Sequence, residues 1–262
     1  MGLALVLAGC GTTVPGLQEF PGGPAEGQRL VAAILTNVKC EVQDAIDDLH
    51  RVQKKTFIDD WAVQVSLSLQ VSERTAVAPA AVWSPPSPAS SLFILSGGGN
   101  ASAEATRINK VGSFYTVREL MRIGRCHPEA RPNGPFLLQS NLKLNEWLVD
   151  TVTVGNIGAV DFARSVPDKD VIQHQVKFEV VSGVSANPTW VLTRVAVNPA
   201  GTTLFAASRN RTHDLTITLG PVNLEKIPGL KPRLVPSRAA ANAALAADIG
   251  IAVGNGVKRA GQ

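Results

Sequence analysis

The chain has 262 residues, of which 45% are apolar, 18% charged and 5% aromatic. This composition excludes intrinsic disorder as the main state, and the length suits one large domain or two ordinary ones. No run of 18 or more consecutive apolar residues occurs, so the sequence predicts no membrane-spanning helix. The net charge of +4 resides in the last 41 residues, where six basic residues accompany two acidic ones. Such a tail can dock on anionic lipid or nucleic acid, but its charges are widely spaced, which favours a solvated tail.

The amino terminus is apolar and ends in Leu7-Ala8-Gly9-Cys10. This segment resembles the lipobox of bacterial lipoproteins, in which the peptide bond before the cysteine is cut and the cysteine sulfur carries a diacylglycerol. The resemblance implies that residues 1–10 are a lipoprotein signal and that acyl chains on Cys10 hold the protein on a membrane. Only nine residues, none of them charged, precede Cys10, so we expect the signal to begin upstream, with a chance match as the alternative.

The residues after Cys10 extend this resemblance. Gly11 stands where Asp would retain a lipoprotein in the inner membrane, which implies sorting to the outer membrane. Residues 11–23 are rich in Gly, Pro and Thr without periodicity, as expected of a flexible tether. The protein is therefore expected at the periplasmic face of the outer membrane. In that oxidising compartment Cys40 and Cys126 are a candidate disulfide, and two buried free thiols are the alternative.

Residues 24–126 are predicted to form a first α+β unit. Apolar residues at spacings of three and four from Leu30 to Leu49 predict an amphipathic helix that begins at Pro24. From Trp61 to Ser72 apolar and polar residues alternate, which predicts a long strand with one face on a core and one face in water. Shorter elements are predicted beyond it, namely a strand at 91–95, a turn at 97–100, a strand at 113–117 and a short helix after 117.

Residues 127–138 are rich in proline and predict a linker to a second α+β unit at 139–222. A helix from Leu144 to Val152 with Ser140 as its N-cap is followed by predicted strands at 171–180, 189–197, 202–206 and 214–219. The fold class is thus α+β, with two similar units that each consist of a helix and an antiparallel meander of three to four strands. Chance similarity of the two halves is the alternative.

Residues 223–262 are predicted to form a basic tail with an Ala-rich helix from Ser237. In this prediction Leu245 and Ile249 of the helix pack on the domain. The alternative is that the helix frays, because alanine side chains bury little surface. The whole layout resembles uncharacterised lipoproteins of alphaproteobacteria. The second half, from Val171 to Pro221, resembles small bacterial domains named for their occurrence beside trypsin-like modules, and neither resemblance implies an activity.

Groups that could perform chemistry are scarce. The four histidines are not at metal-ligand spacing, no G-x-S-x-G motif occurs, and Gly97 to Asn100 lack the Lys-Ser/Thr of a phosphate-binding loop. We therefore predict no metal and no cofactor. His213 and Asp214 beside Arg209 and Arg211 form the densest polar group of the second unit. Arg209, Arg211 and His213 are a candidate site for an anion or a partner. A charged strand edge that prevents aggregation is the alternative interpretation of these residues.

Tryptophans could provide a platform for a carbohydrate or a peptide. Trp83, Trp147 and Trp190, with Trp61, are the residues considered for it, but Trp61 and Trp147 lie in apolar stripes and are expected in the core.

These features predict a non-catalytic interaction or structural module in the periplasm. It is held on the membrane by its N-terminal lipid and binds an envelope protein or polymer. One alternative is an envelope hydrolase with a cleft between the two units. That enzyme would draw its catalytic groups from Asp59, Asp60, His174, His213 and Asp214. The other alternative is a cytosolic protein with a nucleic-acid-binding tail, although the tail lacks the aromatic residues that such binding uses, so no nucleic acid is expected.

Overall fold

The structure is a computed structural model that describes residues 14–15, 24–88, 90–127, 129, 141–158, 170–191, 194–198, 203–229 and 231–260. Cys10, most of the predicted tether and most of the predicted linker lie outside the described residues, as does the predicted N-cap Ser140.

The described residues contain α-helices and antiparallel strands, which confirms the α+β class. The helices are α1 (Pro24–Val52), α2 (Val117–Ile123), α3 (Leu144–Asn156) and α4 (Arg238–Ala260), with a 3-10 turn at Phe57–Asp60. The strands are β1 (Trp61–Val77), β2 (Ala80–Trp83), β3 (Leu95–Gly98), β4 (Ala101–Thr116), β5 (Ile172–Ala186), β6 (Trp190–Val191), β7 (Val195–Val197), β8 (Phe205–Glu225) and β9 (Arg233–Pro236).

The strands form two sheets. The larger sheet has the order β4-β1-β8-β5, with β9 paired to β8, and the smaller sheet has the order β3-β2-β7-β6. Strand β1 from the first half of the chain therefore neighbours β8 from the second half. This pairing joins strands from both halves of the chain in one sheet, and the predicted pair of similar units is not confirmed.

The chain divides into two compact units, and each unit is discontinuous in sequence. The described residues of Met1–Leu17, Leu69–Asn109 and Glu179–Thr212 form unit 1, and those of Gln18–Ser68, Lys110–Phe178 and His213–Gln262 form unit 2. These boundaries differ from the predicted units 24–126 and 139–222, because contacts across the sheets bring both halves into each unit.

In unit 2, helix α1 covers the apolar face of the large sheet. The alternating residues Val63, Val65 and Leu67 of β1 are buried, as are Leu215, Ile217 and Leu219 of β8. Ile34 and Val38 of α1 line a cavity together with Leu67 and Leu215, which fixes the helix on this face. The predicted amphipathic helix and the predicted long strand thus correspond to α1 and β1, and burial of their apolar residues supplies the main stabilisation of this layer.

The opposite, polar face of the sheet is also buried, contrary to the prediction of a face in water. Ser68 of β1 is buried, and so are Asp214, Thr216 and Thr218 of β8. Helix α4 lies on this face, with Ala240 and Ala244 as its buried residues. The prediction was wrong because a polar strand face does not reveal that a helix more than 160 positions along the chain will cover it.

Two polar clusters hold α4 on this face. The hydroxyl of Ser66 donates to Oδ1 of Asp248 at 2.9 Å, and Nζ of Lys110 lies 3.6 Å from Oδ2 of the same carboxylate. About two turns further along α4, Nζ of Lys177 donates to Oδ1 of Asn255 at 2.7 Å. The amide of Asn255 in turn donates to Oδ2 of the buried Asp214 at 3.4 Å. Small and polar residues therefore dock α4, and Leu245 and Ile249 do not pack on the domain as predicted but are exposed.

The expectation of no membrane-spanning helix stays a prediction, although α4 meets one criterion for such a helix. Arg238–Val257 is long and apolar enough to cross one by length and composition, with a mean hydropathy of 1.2 over its best window. The sequence count missed it because Asn242, Asp248 and Asn255 interrupt the run of apolar residues.

Several predicted boundaries shift. The apolar run at 91–95 was predicted to be a strand, but only its last residue, Leu95, belongs to β3, and Leu92, Phe93 and Ile94 are exposed. Gly97 and Gly98 pair with β2 instead of forming the predicted turn. Helix α3 has Lys143 as its N-cap and not Ser140. The strand predicted at 214–219 and the last two residues of the strand predicted at 202–206 belong to the single strand β8.

Candidate interaction surface

The small sheet of unit 1 collects apolar side chains on one face. Trp83 of β2 is opposite Leu95 of β3 on one side and Val195 of β7 on the other, and Val197 of β7 is opposite Trp190 of β6. Cross-strand partners and residues two apart share a face of a sheet. Trp83, Leu95, Trp190, Val195 and Val197 therefore lie on one face, which we call the tryptophan face.

The tryptophan face is open to solvent. Trp83, Trp190 and Leu95 are 47%, 53% and 54% exposed. The ring of Phe93 stands edge-on to that of Trp83 with 6.5 Å between the ring centroids, which extends the aromatic surface beyond the sheet. Monomeric proteins rarely expose large contiguous apolar patches, and such patches commonly mark sites of interaction with a partner.

Charge is nearly absent from the segments that build this surface. No charged residue occurs between Arg74 and Glu104, and Arg194 is the only one between Glu179 and Arg209. In a chain with 18% charged residues, such a depletion resembles the core of a protein interface, where charged residues are scarce and aromatic residues are enriched. A partner would therefore bind this surface by excluding water from it and packing against its apolar side chains.

The two remaining tryptophans differ in burial, and only Trp61 lies in the core as predicted. Trp61 is buried and its ring meets Phe57 edge-on at 5.2 Å between centroids. Trp147 is half-buried and stacks on His174 with 4.9 Å between the centroids. The sequence signal that separated the two pairs was position, since Trp61 and Trp147 lie in apolar stripes.

Cys40 and Cys126, the candidate disulfide, are bonded to each other, with their Cα atoms 5.1 Å apart. The bond joins α1 to the segment after α2. Next to it, the backbone amide of Cys126 donates to Oδ1 of Asp44 at 3.0 Å, and Arg125 pairs with Asp48 at 3.3 Å. Of the two alternatives that the sequence left open, the structure has the disulfide.

The predicted polar group around residue 210 divides between the two units. In unit 1, Nη1 of Arg209 lies 3.0 Å from Oε1 of Glu73, so a neighbouring carboxylate already neutralises this guanidinium. In unit 2, His213 is buried and lines the cavity under α1. Binding of an anion or a partner by Arg209, Arg211 and His213 remains a prediction.

The carboxylate of Asp59 is held by two neighbours. Oδ1 of Asp59 accepts a hydrogen bond from the hydroxyl of Thr56 at 2.5 Å and lies 2.9 Å from Nε2 of His50. Nδ1 of His50 in turn lies 2.8 Å from the carbonyl of Ile46. The Thr56 hydroxyl therefore donates to the carboxylate of Asp59. In a nucleophilic triad the hydroxyl instead donates to the histidine, which takes its proton, and the acid holds the histidine. The three side chains are thus not arranged as a nucleophilic triad. The role of this cluster is to cap the 3-10 turn.

The other groups proposed for a hydrolase have separate surroundings. Asp60 is exposed and pairs with Arg118, and Nε2 of His174 bonds the carbonyl of Leu142 at 3.0 Å. His213 and Asp214 are neighbours on β8, so their side chains point to opposite faces of the sheet. Among the residues that the structure describes, no cluster of three or more His, Cys, Asp or Glu side chains could hold a metal ion.

The Asp59 cluster makes stability depend on pH. Burial alone raises the pKa of Asp59, but hydrogen bonds from Thr56 and His50 and the positive charge of His50 outweigh it and hold the pKa below its usual value. A lowered carboxyl pKa stabilises the fold above the unfolded value of about 3.9, and this contribution is lost as the pH falls through the folded value. We expect Asp59→Asn to lower the free energy of unfolding at pH 7 by about 1–2 kcal/mol and to flatten its decline below pH ~4.

The control for this prediction is Asp60→Asn, since the side chain of Asp60 is 72% exposed and forms a surface pair. This change should leave the urea midpoint nearly unaltered at every pH. Equal profiles for Asp59→Asn and the parent protein between pH 7 and 3 would show that Asp59 does not carry this dependence.

No protein-family model matches this chain. A search of curated proteins also gives no match. Among solved structures the chain is similar to the secretin InvG of the Salmonella SPI-1 type III secretion injectisome, at 9% identity and a TM-score of 0.15. The alignment covers 72% of this chain and 65% of that one. A TM-score this low carries no argument about fold or function, so the functional conclusion depends on the chain's own residues.

Proposed function

We propose that this protein is a lipid-anchored envelope protein whose unit 1 binds an apolar surface of another envelope protein, without catalysis. The observation that carries the proposal is the tryptophan face, an exposed apolar face built from segments almost without charge. Large aromatic side chains provide much of the binding energy of protein interfaces when a partner excludes water from them. An uncharged apolar surface is the partner chemistry that fits this face.

The surroundings of the titratable residues favour binding over catalysis. The Thr56, Asp59 and His50 cluster is a structural cap, and Asp214 is directed under α4 where it pairs with Lys177 and Asn255. General acid–base chemistry needs a titratable group within hydrogen-bond reach of a bound substrate. The carboxylates of Asp59 and Asp214 instead form their hydrogen bonds and ion pairs with other residues of the same chain.

Two features support the envelope as the location. Disulfides form and persist in oxidising compartments, and Cys40 is bonded to Cys126. Cys10 lies in a segment that resembles a lipobox, and a lipid anchor at Cys10 would keep the two units at the membrane surface. The proposed location is the periplasmic face of the outer membrane.

The location is tested by the intact mass of the protein isolated from the membrane fraction of its native host. We expect a mature chain that starts at an acylated Cys10 and reveals two further thiols only after reduction. A chain that retains Met1 and has free thiols would contradict the location.

The binding surface is tested in the same cells with a photo-crosslinking residue at position 83 or 190. The matched control is Ile108, which is 52% exposed in unit 1 but lies on β4. We expect a crosslinked protein from positions 83 and 190 and none from 108. The product formed at 83 should disappear when Trp190 is changed to Ser, and products that persist in this variant would contradict the proposal.

A further inference from the structure

Helix α4 has an unusual distribution of residues. The side that lies on the sheet carries mainly small or polar residues, namely Ala240, Ala244, Asp248 and Asn255, together with the half-buried Ile251. The opposite side carries four aliphatic residues at intervals of four, and these side chains are 55% to 67% exposed. They are Leu245, Ile249, Val253 and Val257, which we call the α4 stripe. An amphipathic helix of a globular protein normally buries its apolar stripe in the core, so α4 has the reverse arrangement.

The charges of α4 are distributed to suit an anionic surface. Its only acidic residue, Asp248, faces the sheet, where Ser66 and Lys110 contact it. Its cationic residues stand at its two ends, with Arg238 at the first position and Lys258 and Arg259 in the last turn. The α4 stripe is thus an uncharged apolar ridge between cationic ends, as in helices that lie in the interface of anionic membranes.

From this arrangement we infer that α4 lies on a phospholipid bilayer that contains anionic lipid, with the α4 stripe in contact with the acyl chains. The helix rests in the plane of the interface and does not cross the bilayer. Crossing would pull Asp248 and Asn255 away from their partners and place a carboxylate in hydrocarbon, which is costly. The inference is independent of acylation at Cys10, although both anchors could act on the same membrane.

Vesicle flotation tests the inference on the full chain with the disulfide intact and Cys10→Ser, so that no acyl chain contributes. We expect this protein to float with vesicles of phosphatidylcholine and phosphatidylglycerol and to bind less to phosphatidylcholine alone. Replacing all four residues of the α4 stripe by Gln should reduce the partition coefficient at least about tenfold. Lys258→Glu with Arg259→Glu should weaken binding to the anionic vesicles only.

The matched control is Leu224→Gln with Leu234→Gln, since these aliphatic side chains are similarly exposed in unit 2 but lie on β8 and β9. This variant should float like the parent. The α4 stripe variant should keep the circular dichroism spectrum and melting temperature of the parent, because its side chains are exposed.

Three results would overturn the inference. They are a parent chain that does not float, equal flotation of the parent and the α4 stripe variant, and a stable dimer in solution that dissociates when the α4 stripe is changed. The last result would assign the α4 stripe to contact with a second copy. None of these results would contradict the proposed function, because that proposal is tested separately by acylation at Cys10 and by crosslinks at positions 83 and 190.

Discussion

Changing both Cys40 and Cys126 to Ala will lower the free energy of unfolding by about 4 kcal/mol, within the 2–5 kcal/mol typical of native disulfides. The bond joins residues 86 positions apart, so its loss frees a long loop in the unfolded chain and increases its conformational entropy. A domain is usually stable by only about 5–15 kcal/mol, so this loss removes a large part of the total.

The fold should nevertheless survive without the bond. The amide of Cys126 still donates to Asp44, and Arg125 still pairs with Asp44 and Asp48. Urea denaturation with and without reductant measures the effect. The parent protein should lose stability on reduction, whereas the double variant should not respond to reductant.

The control is Cys10→Ser, which leaves the Cys40–Cys126 bond in place and should keep the urea midpoint of the oxidised parent. A loss below about 1 kcal/mol in the double variant would mean that the unfolded chain is already restricted near these residues, contrary to the chain-entropy account.

Local periodicity predicted those parts of the fold whose burial is decided by their own sequence. The spacing of apolar residues from Leu30 to Leu49 predicted α1, and the alternation from Trp61 predicted β1. A helix or strand with one strong apolar face specifies both its conformation and the side that will be buried. The disulfide was predicted only as one of two alternatives, because sequence does not show how close two Cα atoms lie.

Pairings between distant residues could not be predicted. The polar face of β1 was expected in water because Ser66 gives no sign of a partner 182 positions away at Asp248. The same limit explains α4, since Leu245 and Ile249 were expected to pack on the domain, yet Ala240 and Ala244 do so. Helix propensity and hydropathy predict that a segment is helical, but they do not predict which side of the helix packs against the rest of the protein.

The tryptophan face itself was not predicted. Trp83 and Trp190 could be set apart from Trp61 and Trp147 by their place in the pattern, but their position on one face depends on the pairing of β2 with β7 and of β7 with β6. The apolar run at 91–95 illustrates the difficulty. It has the composition of a buried strand, yet Phe93 is exposed beside Trp83, as expected if function and not folding selects these residues.

Gly220→Ala will destabilise unit 2 by about 1–3 kcal/mol, because a Cβ atom at this position leaves no room for α4. The added atom would lie 2.8 Å from Cβ of Ala240 and 3.0 Å from Cγ1 of Val171. The Val171 side chain can rotate, but Ala240 is fixed to the helix backbone, so α4 itself must move away from the sheet. That movement would stretch the contacts of Asp248 with Ser66 and of Asn255 with Asp214.

A double-mutant cycle with Ala240→Gly separates this clash from other effects. Removing the methyl group of Ala240 costs up to about 1 kcal/mol in the parent because glycine disfavours helix, but it should restore part of the stability of Gly220→Ala. Gly112→Ala is the matched control, since its Cβ would meet only the carbonyl of Val65 at 3.7 Å. Additive losses would show that Gly220 and Ala240 do not interact. A coupling energy near 1 kcal/mol would place the close approach of α4 to β8 at these two residues and link the exposed α4 stripe to a specific glycine in the sheet.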